Sequence, residues 1–261
     1  MKISIIGGGN MGGAIAYGLS SGKKVKGEDI TVIDLNPQNV EAVKAYGTGV
    51  QATTNDYSSV CVADVVILAV KPWLIKPVLE EHRGKFDFSK QVIISIAAGI
   101  TLAQLQEYTS DKATVFRLIP NTAIAIKQSM TFVASANASK EQEELVLSIF
   151  AELGKAILIN ESQFGAVTSL SSCGIAYAFR YIRAAMEGGV EMGIPSGQAK
   201  EIVIQTLRGA IELLEANGSH PEVEIDKVTT PGGITIKGLN EMEHAGFTSA
   251  VIRGLKASNP K

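Results

Sequence analysis

The chain has 261 residues, enough for one large or two moderate domains with a substantial core. With 46% hydrophobic and 19% charged residues it reads as globular, and a net charge of -2 favours neither nucleic acid nor an anionic membrane as partner. Its two cysteines, Cys61 and Cys173, are far apart and lack metal-like spacing, as expected of reduced thiols in a cytoplasmic protein with no bound metal.

The first predicted element is the apolar run Ile3 to Ile6, which feeds Gly7-Gly8-Gly9-Asn10-Met11-Gly12-Gly13-Ala14. The run is too short for the apolar core of a signal peptide, and no apolar stretch reaches membrane-spanning length. Gly7, Gly9 and Gly12 match G-x-G-x-x-G, between a strand and a helix running from Met11 to about Ser20. In that context the first glycine allows the tight turn, the second lets backbone approach a pyrophosphate, and the third lets the helix pack on the sheet. The helix N-terminus adds free N–H groups and a partial positive charge.

A second strand, Ile30 to Ile33, ends on Asp34, and Asn36-Pro37 caps and opens a helix reaching about Tyr46. Asp34 lies 22 residues after Gly12, where a carboxylate binds the adenosine ribose of NAD. The competing reading is a surface aspartate at a strand end. As a ribose ligand Asp34 would repel a 2′-phosphate, and no arginine between Asp34 and Tyr46 neutralises one. This tilts the cofactor from NADPH toward NADH.

Gly49 to Ala52 reads as a short strand. Asp64 to Val70 is nearly all apolar, as a central parallel strand should be, and Lys71-Pro72 opens a helix through Leu79. The strand Gln91 to Ile96 ends in Ala97-Ala98-Gly99, with Thr101 capping the next helix. The strand Ala113 to Leu118 precedes Pro120-Asn121-Thr122. Strands at Thr131 to Ala134 and Ala156 to Ile159 flank a helix from Ser139 to Leu153. This alternation predicts an α/β fold with a doubly wound, mostly parallel sheet.

From Glu161 onward no strand is predicted. Helices cover about Glu161 to Met192, Ser196 to Asn217 and Ile234 to Ser258, punctuated by Pro195, Gly218 and Pro221. The reading is therefore a dinucleotide-binding domain, 1–160, followed by an all-helical domain, 161–261. Ala184, Ala185, Gly188 and Gly189 suggest close helix packing. About one hundred residues of helix is a small unit to offset its own folding entropy, so pairing with a second copy is expected.

In an open parallel sheet, ligands bind beyond the carboxyl ends of the strands. That places Gly7 to Gly12, Asp34 to Asn36, Ala69-Val70-Lys71-Pro72, Ala97-Ala98-Gly99 and Pro120 to Thr122 around one crevice. None offers an obvious nucleophile. His82, His220 and His244 are scattered and read as solvated or structural, and Glu141, Glu143 and Glu144 as a solvated helix start. Trp73 reads as packing against the sheet. Lys71 either faces the cofactor entrance or stays exposed, with only its backbone near the dinucleotide. A second glycine turn, Val228 to Thr235, is rich in hydroxyls and opens a helix. It is either a second anion site, suited to a carboxylate, or a simple capping turn.

With these residues in view, the whole chain resembles the pyrroline-5-carboxylate reductases. The resemblance is carried by Gly7 to Ala14, Ala69-Val70-Lys71-Pro72, Ser95 to Leu102, Arg117 to Thr122, Ala166-Val167-Thr168 and Ala176-Tyr177-Ala178-Phe179. It continues through His220-Pro221 and Asp226 to Leu239, whose T-T-P-G-G-x-T is the most specific segment. It implies a Rossmann domain followed by a helical dimerisation domain, interlocked with a second subunit in a homodimer and in rings of dimers. It also implies reduction of the cyclic imino acid 1-pyrroline-5-carboxylate to L-proline by NAD(P)H, at a site shared between the nicotinamide of one subunit and the helical domain of its mate. Thr230, Gly233, Ile234 and Thr235 would hold the substrate carboxylate, with the Thr235 hydroxyl at the ring nitrogen, and Glu161 would join the substrate set. Asn10, Met11, Asn55 and Asn121 would join the cofactor residues named above.

The chain departs from the family at Ser172 for a glycine, Ile175 for a proline and Gly165 for an aspartate. Two other readings stay open. One is a related dehydrogenase of a hydroxy acid or another cyclic imine, though none of Lys200, Lys227 and Lys237 sits in a suitable acid/base motif. The other is a non-enzymatic NAD(P)-binding homologue.

Overall fold

A computed structural model describes residues 1–259. They fall into two compact units, Met1–Ser172 and Cys173–Lys261, the second described as far as residue 259.

The first unit carries an eight-stranded sheet: β1 (Ile3–Ile6), β2 (Ile30–Asp34), β3 (Gln51–Thr54), β4 (Val65–Leu68), β5 (Val92–Ser95), β6 (Thr114–Ile119), β7 (Ser129–Ala136) and β8 (Gly154–Leu158). Its helices are α1 (Asn10–Ser20), α2 (Pro37–Lys44), α3 (Pro72–Glu81), α4 (Leu102–Tyr108), α5 (Lys140–Phe150) and α6 (Phe164–Val167). The strand order is β3-β2-β1-β4-β5-β6-β7-β8. Pairing is parallel from β3 to β6, antiparallel between β6 and β7, and parallel again between β7 and β8. The doubly wound, mostly parallel sheet is thus as read from the alternation of elements.

Successive strand residues point to opposite faces, and this divides the core in two. Ile5, Val32, Ile67 and Phe116 join Ile15, Leu19, Val40 and Phe150 on the face covered by α1, α2 and α5. Ile6, Ile33, Leu68 and Val115 join Ile75, Leu79, Leu105 and Phe164 on the face covered by α3 and α4. The central strands β1 and β4 are buried throughout, which is why they read as nearly continuous apolar runs, broken only by the buried Ser4 of β1. Local capping agrees with the sequence: the Asn36 side chain accepts the Gln38 N–H at α2, and Thr101 forms a capping box with Gln104 at α4.

The second unit is helical: α7 (Gly174–Glu191), α8 (Ser196–Asn217), α9 (Pro221–Lys227), α10 (Ile234–His244) and α11 (Phe247–Ala257). Two helix expectations need correction, and one helix is added. The stretch from Glu161 to Met192 is not one helix, because a π-type turn, Thr168–Cys173, separates α6 from α7. There the Thr168 and Ser169 hydroxyls donate to the Phe164 and Gly165 carbonyls, the side-chain competition that bends helices. The stretch from Ile234 to Ser258 breaks at Gly246, whose φ of 82° no helix accepts. The short α9 is an addition, opened by Pro221 at its first turn and by His220, whose imidazole accepts the Glu222 N–H.

Among the described residues of this unit only Gly189 and Ala199 are buried. Large apolar side chains such as Met192, Leu213, Val228 and Ile252 stand half or more exposed. No helix of the described residues is long and apolar enough to cross a membrane.

Candidate active site

The turn out of β1 is built by Gly7, at φ 104°, whose N–H donates to the Ile33 carbonyl at 2.7 Å. Only glycine fits, since a Cβ there would lie 2.7 Å from the Ala69 carbonyl oxygen. Gly12 brings α1 against this turn: a Cβ on it would overlap the Gly7 carbonyl oxygen and press on Ala69 Cβ at 3.0 Å. Gly9 is different, with nothing within 4 Å of where its Cβ would stand. It occupies the N-cap of α1 and no side chain caps the helix there, nor is there an acidic residue in its first turn. Unpaired N–H groups, a positive helix end and open space together fit a pyrophosphate. Asn10 is exposed in this first turn, while Met11 is half-buried against the core.

Asp34 ties the neighbouring strand end to this loop. Its Oδ2 accepts the Gly8 N–H at 2.6 Å and the Asn39 amide at 3.0 Å, and its Oδ1 accepts the Asn36 N–H at 2.7 Å. The carboxylate is therefore held beside the glycine loop rather than free at a strand end. Asn55 follows β3 in the left-handed region, its N–H donating to the Asp34 carbonyl at 3.2 Å. Tyr57, which no motif marks, is buried nearby and stacks on His82 at 3.5 Å between centroids. Burial, with the Glu81 and Asp34 carboxylates, pushes the Tyr57 phenol up from its ordinary value. This makes His82 a packed structural histidine.

Beyond β4, the Ala69 N–H donates to the Ile6 carbonyl at 2.8 Å, and Val70 and Ala69 abut Gly7. Lys71 is the exposed N-cap of α3 and Pro72 its first residue. Trp73 departs from expectation: it does not pack on the sheet but stands 71% exposed, because Ile75 and Leu79 are the α3 residues turned to the core. Beyond β5, Ala97 is buried while Ala98 and Gly99 are exposed.

Two residues of the expected set are engaged by the fold itself. Asn121 is buried, with its Oδ1 accepting the Ala123 N–H and its Nδ2 donating to the Ser171 hydroxyl, both at 3.0 Å. The Glu161 carboxylate accepts the Leu102 N–H at 2.8 Å and pairs with Arg117 at 3.0 Å. Arg117 lies over the Phe164 ring, 4.4 Å from its centroid, and its buried Nε has no partner. This cluster, unmarked by any motif, joins β6 to the start of α4 and the turn before α6.

The second glycine turn opens α10 within the helical unit. The Gly233 N–H donates to the Thr230 carbonyl at 2.9 Å, and a Cβ on Gly233 would lie 2.5 Å from the Thr230 hydroxyl. Gly233 is the N-cap, with no side-chain cap and no acidic residue in the first turn. Thr230, Ile234 and Thr235 are all exposed, Ile234 to 87%. The turn therefore repeats the physics of the first: uncapped N–H groups at a helix start, here flanked by hydroxyls.

Comparison with known proteins bears on both units. Residues 161–261 match the family model for pyrroline-5-carboxylate reductase dimerisation, and residues 2–99 match that of the coenzyme F420-dependent NADP oxidoreductases. Pyrroline-5-carboxylate reductase of Arabidopsis thaliana is 34% identical, over 98% of this chain and 92% of its own length. The chain belongs to the pyrroline-5-carboxylate reductase family. Pyrroline-5-carboxylate reductase 1 of Dictyostelium discoideum is 38% identical over 99% of this chain, which spans 49% of that longer relative. Among solved structures, the reductase of Coxiella burnetii superposes with a TM-score of 0.90 at 29% identity, covering 98% of this chain and 95% of that one. That of Plasmodium falciparum, solved with NADP bound, superposes with a TM-score of 0.88 at 25% identity, covering 99% and 95%. As a member of this family of oxidoreductases, the chain shows how one departure is accommodated: the Ser172 hydroxyl donates to the Pro120 carbonyl at 3.3 Å. Ser171 and Ser172 thus both brace the Pro120 to Thr122 loop.

Proposed function

We propose that this protein reduces 1-pyrroline-5-carboxylate to L-proline with a nicotinamide dinucleotide, the last step of proline biosynthesis. The observation that carries the proposal is the pair of uncapped glycine turns, one opening α1 and one opening α10, in a chain of this family. The first turn, Gly7 to Gly12, binds the pyrophosphate, with Asp34 and Asn36 toward the adenosine ribose and Asn55 beside them. Ala69 to Pro72, Ala97 to Gly99 and Asn121 complete the cofactor residues. The bound cofactor supplies a hydride from C4 of its nicotinamide. The second turn holds the substrate carboxylate through the N–H groups of Gly233, Ile234 and Thr235 and the Thr230 hydroxyl. The Thr235 hydroxyl donates to the ring nitrogen, and Glu161 lies on the substrate side.

The lack of an obvious nucleophile among the strand-end segments is consistent with this chemistry. A protonated imine is already electrophilic, so the protein's work is to orient the reactants and steady one proton. Asp34 favours NADH, because a 2′-phosphate would meet a carboxylate already fixed at the loop.

Two copies would pair through the helical unit. Support comes from its exposed apolar side chains and from an apolar groove of about 320 Å³ between α7 and α11, lined by Tyr177, Tyr181, Phe247 and Val251. The partner is a second copy, interlocked as in the family's dimers and in rings of such dimers. A cytoplasmic, unmembraned setting suits this chemistry.

The test is oxidation of NADH and of NADPH with 1-pyrroline-5-carboxylate, repeated with Thr235→Ala. The expected result is turnover by the wild type and a kcat lower by about ten- to a thousandfold in the variant, with dinucleotide affinity kept. Wild-type rates in Thr235→Ala would remove that hydroxyl from its role, and no turnover with either cofactor would overturn the proposal.

A further inference from the structure

Trp73 is the sole tryptophan of the chain, and it is 71% exposed in the first turn of α3. An exposed indole offers a large flat apolar face, and Trp73 directly follows Lys71-Pro72 at the end of β4. In the strand order, β2 and β4 flank β1 on either side, so their carboxyl ends border the crevice above β1. Asp34 closes one border and Ala69 to Pro72 the other, and both touch the glycine loop: Asp34 through the Gly8 N–H, Val70 and Ala69 against Gly7. Helix α1 covers one face of the sheet and α3 the opposite one. A dinucleotide whose pyrophosphate lies at α1 and whose ribose lies at Asp34 has its adenine left to place, and α3 begins at the crevice border formed by the end of β4. That border carries Trp73, and the residue after Asp34 is Leu35, also 67% exposed. Trp73 and Leu35 thus follow the two strand ends that border the crevice, and each offers an exposed apolar face to a flat base.

We infer that Trp73 is the stacking platform for the adenine of the cofactor, with Leu35 as the opposing apolar wall. This rests on the cofactor assignment given under Proposed function. Trp73 is thereby a positioning residue, remote from the hydride-transfer end. Base stacking on an aromatic ring has a size that binding measurements resolve easily: loss of the ring costs about ten- to a hundredfold in affinity.

The experiment compares dissociation constants of NADH and of reduced nicotinamide mononucleotide, which lacks the adenosine, for the full-length wild type, Trp73→Ala and Trp73→Phe. The expected result for Trp73→Ala is NADH binding weaker by about ten- to a hundredfold, with binding of the mononucleotide as in the wild type. Trp73→Phe, which keeps a π face, recovers most of the loss. NADH bound equally well by Trp73→Ala and wild type overturns the inference, as does equal weakening of dinucleotide and mononucleotide, which marks a general structural defect. A wild type that binds neither nucleotide overturns the cofactor assignment itself, a separate failure read from a separate arm.

Discussion

Gly9→Ala separates the cofactor-binding role proposed for the glycine loop from its structural role. The Gly9 backbone, at φ -68° and ψ -165°, is one that alanine adopts, and the added Cβ would meet nothing within 4 Å. Alanine caps a helix slightly worse than glycine but restricts the unfolded chain more, terms of roughly 0.5 kcal/mol each that oppose one another. Folding stability should therefore change by less than about 0.5 kcal/mol, shifting Tm by about 2 °C or less. Cofactor binding should suffer, because the methyl group fills the open space at the α1 N-terminus that the proposed pyrophosphate site requires. Displacing the phosphates from one charge-assisted hydrogen bond costs about 1.5–3 kcal/mol, or roughly ten- to a hundred-and-fiftyfold in Kd. Gly12→Ala is the contrast: its Cβ would overlap the Gly7 carbonyl oxygen and crowd Ala69, so it should destabilise the fold by about 1–3 kcal/mol as well as weaken binding. Thermal melts and NADH fluorescence titrations on both variants give the four numbers. A folded Gly9→Ala protein that binds NADH within about twofold of wild type would refute the reasoning.

Other consequences can be measured in the same way. Asp34→Asn keeps an acceptor for the Gly8 or Asn36 N–H but removes the charge, so the ratio of kcat/KM for NADPH over NADH should rise by about tenfold; an unchanged ratio would show that Asp34 does not face the ribose. Glu161→Ala removes the partner of an Arg117 side chain only 12% exposed, whose Nε is already unpaired, and uncaps the Leu102 N–H. Since Glu161 itself is about a third exposed, the loss in urea unfolding should be about 2–3 kcal/mol, and a loss below about 0.5 kcal/mol would mean water replaces the pair. Glu224 is held at a pKa of about 2 by Lys227, with Ser219 and Asn217 adding hydrogen bonds. Because its folded value lies below the ordinary 4.5, its stabilisation is present above that pH and is lost as pH falls toward about 2. Amide exchange in α9 should accelerate across that window, and Glu224→Gln should remove most of that pH dependence; equal dependence in both proteins would assign it elsewhere.

Much of this molecule is determined locally, and that part was legible in the residues. Largely apolar stretches become the four-residue strands β1, β4 and β5 because a strand covered on both faces needs no alternation. Asn36 and Thr101 start helices because their side chains satisfy backbone N–H groups two or three residues on. Gly7 and Gly12 mark the loop because one needs a positive φ and the other has no room for a Cβ. The breaks at Thr168–Cys173 and Gly246 were harder to see, since apolar spacing runs through both and only backbone geometry interrupts it.

What tertiary structure alone decided are pairings between residues distant in sequence. Nothing local reverses β7 against β6 while keeping β8 parallel to β7. No motif joins Arg117 to Glu161, 44 residues apart, or Asn121 to Ser171, 50 apart, since such contacts exist only once the sheet has brought them together. The same holds for exposure. Trp73 reads as a core residue by its hydrophobicity, yet the 3.6-residue period of α3 commits Ile75 and Leu79 to the sheet and turns the indole to solvent. Residue type determined which groups the chain possesses, and the packing of α3 on β4 decided that this one stands at the strand edge.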